Sequence, residues 1–126
     1  MGGGLALALY HCGEAKRALA IAREDVVTAA SRGMALGEIQ LQIALAEVAA
    51  RCGHEAEARA ALARAGDLAT RIECRILVPS IHETTAILAA TLGNPEQQQA
   101  ELRAAQRLYQ EMGATGHAER LARELA

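Results

Sequence analysis

The stretch that decides the fold is Ile39–Ala58, IQLQIALAEVAARCGHEAEA: an apolar helical run, a glycine, and the opening of a second helix. Its pattern recurs on either side. Gly13 stands 40 residues before Gly53, and Gly93 stands 40 after. Seven residues ahead of each glycine is an alanine: Ala6, Ala46 and Ala86. Five residues past the first two is another, Ala18 and Ala58. After Gly93 the matching alanine is Ala100, two residues late, with Asn94-Pro95 making room. A small residue at a fixed site on each of two helices lets their backbones approach. A glycine between them allows the positive-φ turn that reverses the chain. This is the pattern of a repeated helical hairpin, and it predicts an all-α α-solenoid of antiparallel helical hairpins in one domain.

Composition agrees. Among 126 residues there are thirty alanines, two tyrosines, no Trp and no Phe. Alanine offers little apolar area, and burial stabilises by roughly 25 cal/mol per Å². Such a chain must rely on high helix propensity and close backbone contact. Two prolines and few β-branched clusters argue against sheet. A formal charge of −2 provides no field for nucleic acid or anionic lipid. No apolar run reaches the ~18 residues of a membrane span. Three cysteines, an odd number, fit a reducing, cytoplasmic setting.

Along the chain the spacing predicts seven helices: about Leu5–Cys12, Glu14–Ser31, Leu36–Cys52, His54–Arg71, Ile81–Leu92, Pro95–Met112 and His117–Leu125. They group as hairpins over about 5–33, 36–73 and 79–113, with a capping helix at 115–126. In the third helix Leu41, Ala44, Leu45, Val48 and Ala49 form the expected buried stripe and Ile43 lies off it. Pro79-Ser80-Ile81-His82-Glu83 reads as a capping box between Ser80 and Glu83, which also accounts for His82; alternatively that helix begins a turn earlier with Pro79 at its first position. Gly93-Asn94-Pro95-Glu96 supplies a C-terminal glycine, an Asn cap and a first-turn proline.

The pairs Ala6/Ala18 and Ala46/Ala58, with Gly13 and Gly53 between, resemble the small-residue signature of tetratricopeptide (TPR) repeats, and the period of 40 resembles their longer-helix variants. The tail QQAELRAAQRLYQEMGATGHAERLARELA, Gln98–Ala126, is similar to the closing segment of TPR arrays in large bacterial regulators that carry a nucleotide-cyclase domain and an ATPase module. The resemblance implies a protein-binding array used as a sensing or autoregulatory tail. It does not bring those activities with it, because the sequence holds no G-x-x-x-x-G-K-[ST] loop.

In a TPR-like stack the first helix of each hairpin lines the concave face. Register from each glycine then assigns the partner-binding residues: Leu7, Tyr10 and His11; Gln40, Ile43, Glu47 and Arg51; Ser80, Glu83, Ile87 and Thr91. The mixture of polar groups and apolar anchors suits a protein or peptide segment. Glu47 and Arg51 also fit a plain i,i+4 pair on a solvated helix face. No catalytic, cofactor or metal residues are expected. Cys12 and Cys52 fall at equivalent repeat positions about one helix diameter apart, ~10 Å, too far to share a zinc ion. Cys74, in the loosest connection, is expected to be the most exposed thiol. His117, in the first turn of the last helix, has no visible acid partner except Glu119. A small helical enzyme would need converging titratable groups, and a nucleic-acid-binding repeat would need a basic stripe. The short first helix leaves Leu5, Leu7 and Leu9 to begin the stack bare. This predicts pairing with a second copy there, or a longer array upstream.

Overall fold

The computed structural model describes residues 15–125. These residues form six helices: α1 (Ala15–Ser31), α2 (Ala35–Arg51), α3 (Glu55–Arg71), α4 (Val78–Thr91), α5 (Pro95–Glu111) and α6 (Thr115–Leu125). No strand occurs among the described residues. Each helix packs on the next, and α2 also packs on α4. The fold is all-α and repetitive, with antiparallel helices stacked in neighbouring pairs. The expected first helix, Leu5–Cys12, lies outside the described residues, as do Leu7, Tyr10, His11 and the proposed pairing end.

The turns set the geometry. Among the described residues five have positive φ: Gly33, Gly53, Glu73, Gly93 and Gly113. They fall at intervals of 20 residues, half the interval read from the sequence. At each, the same two backbone bonds close the preceding helix. At Gly53, for example, the Gly53 amide donates to Ala50 O (3.2 Å) and the His54 amide donates to Ala49 O (2.8 Å). At Glu73 the pairs are Glu73 to Thr70 O and Cys74 to Ala69 O. This is the Schellman closure, which satisfies carbonyls that a helix end would otherwise leave bare. The carbonyl that takes the outer bond belongs to Ala29, Ala49, Ala69, Ala89 and Tyr109 in turn. All five are buried. The four alanines let the following helix cross close to the last turn.

α4 departs from the pattern. The other helices begin two residues after their positive-φ residue; α4 begins five after, at Val78. Pro79 is the physical reason. In a helix begun at Arg75, Pro79 would owe an amide hydrogen to the Arg75 carbonyl, and its ring would clash there. Pro79 therefore sits in the first turn of a shortened helix. The expected capping box does not form. Ser80 lies inside α4, and Leu77 occupies the cap position without a side-chain bond. His82 instead faces α5, its Nδ1 3.4 Å from Glu101 Oε1. The Asn94 cap is present: its side-chain oxygen accepts from the Gln97 amide at 3.2 Å.

The core is a string of small clusters rather than one centre. Ala18, Leu19, Ala46, Val48, Ala58, Ala61 and Leu88 lie in the first, so Ala46 and Ala58 share a core as their spacing implies. Ile39 with Ala65, Leu68 and Ala69 forms the second, and Ala105, Tyr109, Ala118 and Leu121 the third. Two sequence expectations are corrected. Ala100 is exposed, so it is not a packing site. The buried stripe of α2 is rotated: Glu38, Ile39, Gln42, Leu45, Ala46, Val48, Ala49 and Ala50 are buried, while Leu41 and Ala44 are only half-buried. Ile43 is half-buried against the second cluster. The reason is that α2 packs on α1, α3 and α4 together, so three sides of it are covered.

Glu38 is buried in this interior. It accepts from Arg64 on both oxygens (2.9 and 3.4 Å) and from Gln42 Nε2 (3.0 Å), locking α2 to α3. On the outer side Arg23 grips Glu57 with two bonds of 2.7 Å, joining α1 to α3. In each case the arginine's hydrogen bond is the main cause that holds the carboxyl below its ordinary range.

Two predictions follow from these turns and pairs. Glu73→Gly relieves a left-handed non-glycine residue and raises unfolding free energy by about 0.5–1 kcal/mol, net of glycine's extra chain entropy. Gly53→Ala lowers it by about 1–2 kcal/mol. A Cβ at Gly53 meets open space, so urea titration of that variant reads backbone conformation alone. Because Glu38 and Glu57 prefer to be ionised when folded, their contribution is complete above the ordinary carboxylate range and is lost as pH falls below about 4.3 through the lower folded values. Thermal unfolding followed by circular dichroism from pH 5 to 3 is expected to fall less steeply in E38Q/E57Q than in the wild type.

Candidate functional site

The backbones of α2 and α4 approach each other, whereas α1 and α3, or α3 and α5, do not. Alternate helices thus meet on the α2–α4 side. A groove of about 440 Å³ opens there, lined by Arg51 of α2, Glu83, Ile87 and Thr91 of α4, Gln98 and Leu102 of α5, and Arg120 and Glu124 of α6. Ala86 and Ala90 supply the remaining apolar wall.

Of the residues chosen from the sequence, Arg51, Glu83, Ile87 and Thr91 meet in this groove. Glu47 stands beside it, its carboxylate 3.3 Å from Arg51 Nε. Gln40 is exposed on α2 away from the groove, Ile43 is spent on the core, and Ser80 lines a separate hollow. Gln98, Leu102, Arg120 and Glu124 were not foreseen. The signal for α6 was available: it starts two residues after Gly113, as α2 starts two after Gly33.

Glu83 is the junction of the site. Tyr109 Oη donates to its Oε2 at 2.6 Å, and Arg120 Nη1 lies 2.9 Å from its Oε1. Arg120 Nη2 in turn lies 3.4 Å from His117 Nδ1. The His117 ring stacks on Tyr109, with centroids 4.7 Å apart and planes at 18°. Glu83, Arg120, His117 and Tyr109 thus close a ring joining α4, α5 and α6. His117, which offered no partner in sequence beyond Glu119, finds one in Tyr109. A guanidinium can only donate, so in this contact His117 Nδ1 is the acceptor. Burial, and then the bond to Glu83, push the Tyr109 hydroxyl above its ordinary range.

Electrically the groove is mixed, with two guanidiniums and two carboxylates around an aliphatic floor. The thiols give it no chemistry. Cys52 and Cys74 are both half-buried, and burial raises the Cys52 thiol. Cys74 is thus less exposed than its connection suggested. Among the described residues no three His, Cys, Asp or Glu side chains come together as a metal site. None of the described helices is long and apolar enough to cross a membrane.

No protein-family model matches this chain, and no curated protein or solved structure matches it.

The ring predicts a measurable titration. In a Tyr10→Phe background, phenolate absorbance of Tyr109 is expected to rise only above the ordinary tyrosine range. Adding Glu83→Gln brings the transition down part of the way, because burial remains. The stability tied to the protonated hydroxyl is complete below the ordinary tyrosine range and is lost as pH rises through the folded value.

Proposed function

We propose that this chain is a non-catalytic protein-interaction module of the TPR-like kind, which binds a protein or peptide segment along its α2–α4 side. The observation that supports this reading is the groove itself. Side chains from four helices meet across it, and it combines aliphatic anchors at Ile87 and Leu102 with paired charges at its rim. A mixed surface of this kind suits a segment that buries a few apolar side chains and sets its register by charge. It lacks the run of cations that a nucleic-acid backbone demands. It also lacks a free titratable group in its centre, since Glu83 is bonded on both oxygens.

The tail resemblance extends the proposal: the module serves as a sensing or autoregulatory arm of a bacterial signalling regulator and works in the cytoplasm. Pairing of two copies through the first helix belongs to the same proposal and rests on the sequence of Leu5–Leu9 alone.

The test is a pull-down from a bacterial lysate with wild-type protein and with Glu47→Ala/Arg51→Ala. An exposed i,i+4 pair contributes only about 0.3–0.5 kcal/mol. The double variant is therefore expected to keep its helicity and thermal midpoint while losing the captured partner. An unchanged set of captured proteins would remove these two residues from the binding face.

A further inference from the structure

The shortened start of α4 leaves a second hollow, separate from the groove. It has a volume of about 670 Å³ and is lined by Arg75, Ile76, Ser80, Tyr109, Met112, Ala114 and His117. Its lining is unusual in two respects. Ile76 is 69% exposed and Met112 40% exposed, although the stacked Tyr109–His117 pair offers them an apolar floor. And every ionisable group at its wall other than the Tyr109 phenol is a cation or a donor. Arg75 is exposed, and its side chain makes no ion pair or hydrogen bond among the described residues. His117 adds its exposed imidazole. No carboxylate lines the hollow; Arg75 also borders two neighbouring hollows, one lined by Glu73 and the other by Glu111. The first turns of α4 and α6, which contribute Ser80 and His117, hold no acid either.

We propose that this hollow is a binding site for a small amphipathic acid: a free aromatic or short aliphatic carboxylate. Its apolar body lies against Ile76, Met112 and the Tyr109–His117 stack, and its carboxylate lies at Arg75. The volume falls within the ~300–1,000 Å³ of small-molecule pockets, and mostly apolar walls with a few polar groups are their usual make-up. A guanidinium without a carboxylate of its own is the natural partner for an acid, which it can meet with two bonds. Three polar groups suit a single acid group better than a long backbone, which would need a row of donors and acceptors. The site is distinct from the groove and does not depend on the groove being occupied.

The test uses the whole chain, labelled at its methionine methyls, titrated with 4-phenylbutyrate and with its neutral amide, 4-phenylbutyramide. Met34, at a different turn, is the internal control. The acid is expected to shift the Met112 methyl saturably in the low-millimolar range, as befits a ligand of that size. The amide binds about tenfold more weakly. Arg75→Gln brings the acid to the level of the amide and leaves the amide unchanged. Equal binding of acid and amide, an equal response at Met34, or no saturation overturns the proposal. An acetylated tripeptide ending in free phenylalanine that binds more than about tenfold tighter than phenylbutyrate also overturns it, in favour of a chain end as the occupant. Because the acid–amide comparison is made on unaltered protein, it does not depend on how any variant folds.

Discussion

The structure depends on one local constraint, the left-handed residue that closes each helix. A helix that ends in a Schellman closure leaves in a fixed direction, because two backbone bonds fix the turn. Repeating that closure at residues 33, 53, 73, 93 and 113 returns the chain antiparallel to itself each time. The partner carbonyls then belong to residues 29, 49, 69, 89 and 109, which face the next helix. Alanine at the first four lets backbones approach. An array nearly without aromatics is stable because each turn places small residues where contact is closest. Tyr109 breaks the series at the fifth position, where a large side chain fills the space between α5 and α6 and reaches Glu83.

Much of this was legible in the sequence, and for a reason. Glycine at a left-handed position and alanine at a close contact are chosen by sterics that act on the residue itself, so Gly53, Gly93, Ala46 and Ala58 read directly. Helix ends were read to within a residue or two wherever glycine or an Asn cap marked them. The 20-residue interval also stands in the sequence, at Gly33, Gly53, Gly93 and Gly113, and Glu73 alone interrupts it.

The errors have a common cause. Ser80–Glu83 has the spacing of a capping box, but spacing cannot say where the helix begins; Pro79 decides that, and it places Glu83 in the second turn to meet Tyr109 and Arg120 instead. The stripe of α2 was read as a single face because helical periodicity assumes one covered side. α2 is covered on three, and Glu38 is buried there with Arg64 as its partner. That arginine is 26 residues away in sequence, which no local pattern reveals. Ala100 was taken for a repeat position by allowing two residues of slack, and the structure keeps its register without slack, so that alanine faces water.

The hollow beside Tyr109 traces to one proline. By delaying α4, Pro79 removes the first turn that would have packed beside the ends of α3 and α5. The Arg75–Ile76 segment lies there without filling the space, and the hollow beside Tyr109 results. The delay leaves the register of the rest of α4 intact, since the helix still ends two residues before Gly93 like its neighbours. Glu83 therefore keeps its place on the α2–α4 side, with its carboxylate between the groove and the Tyr109–His117 stack that floors the hollow. One ring of four side chains separates the two openings, and His117 and Tyr109 face one while Glu83 and Arg120 face the other. A change in the packing of Tyr109 cannot leave the Glu83 carboxylate untouched, because they share a 2.6 Å hydrogen bond. The shortest connection between the two openings is thus that one hydrogen bond, and it runs through Tyr109.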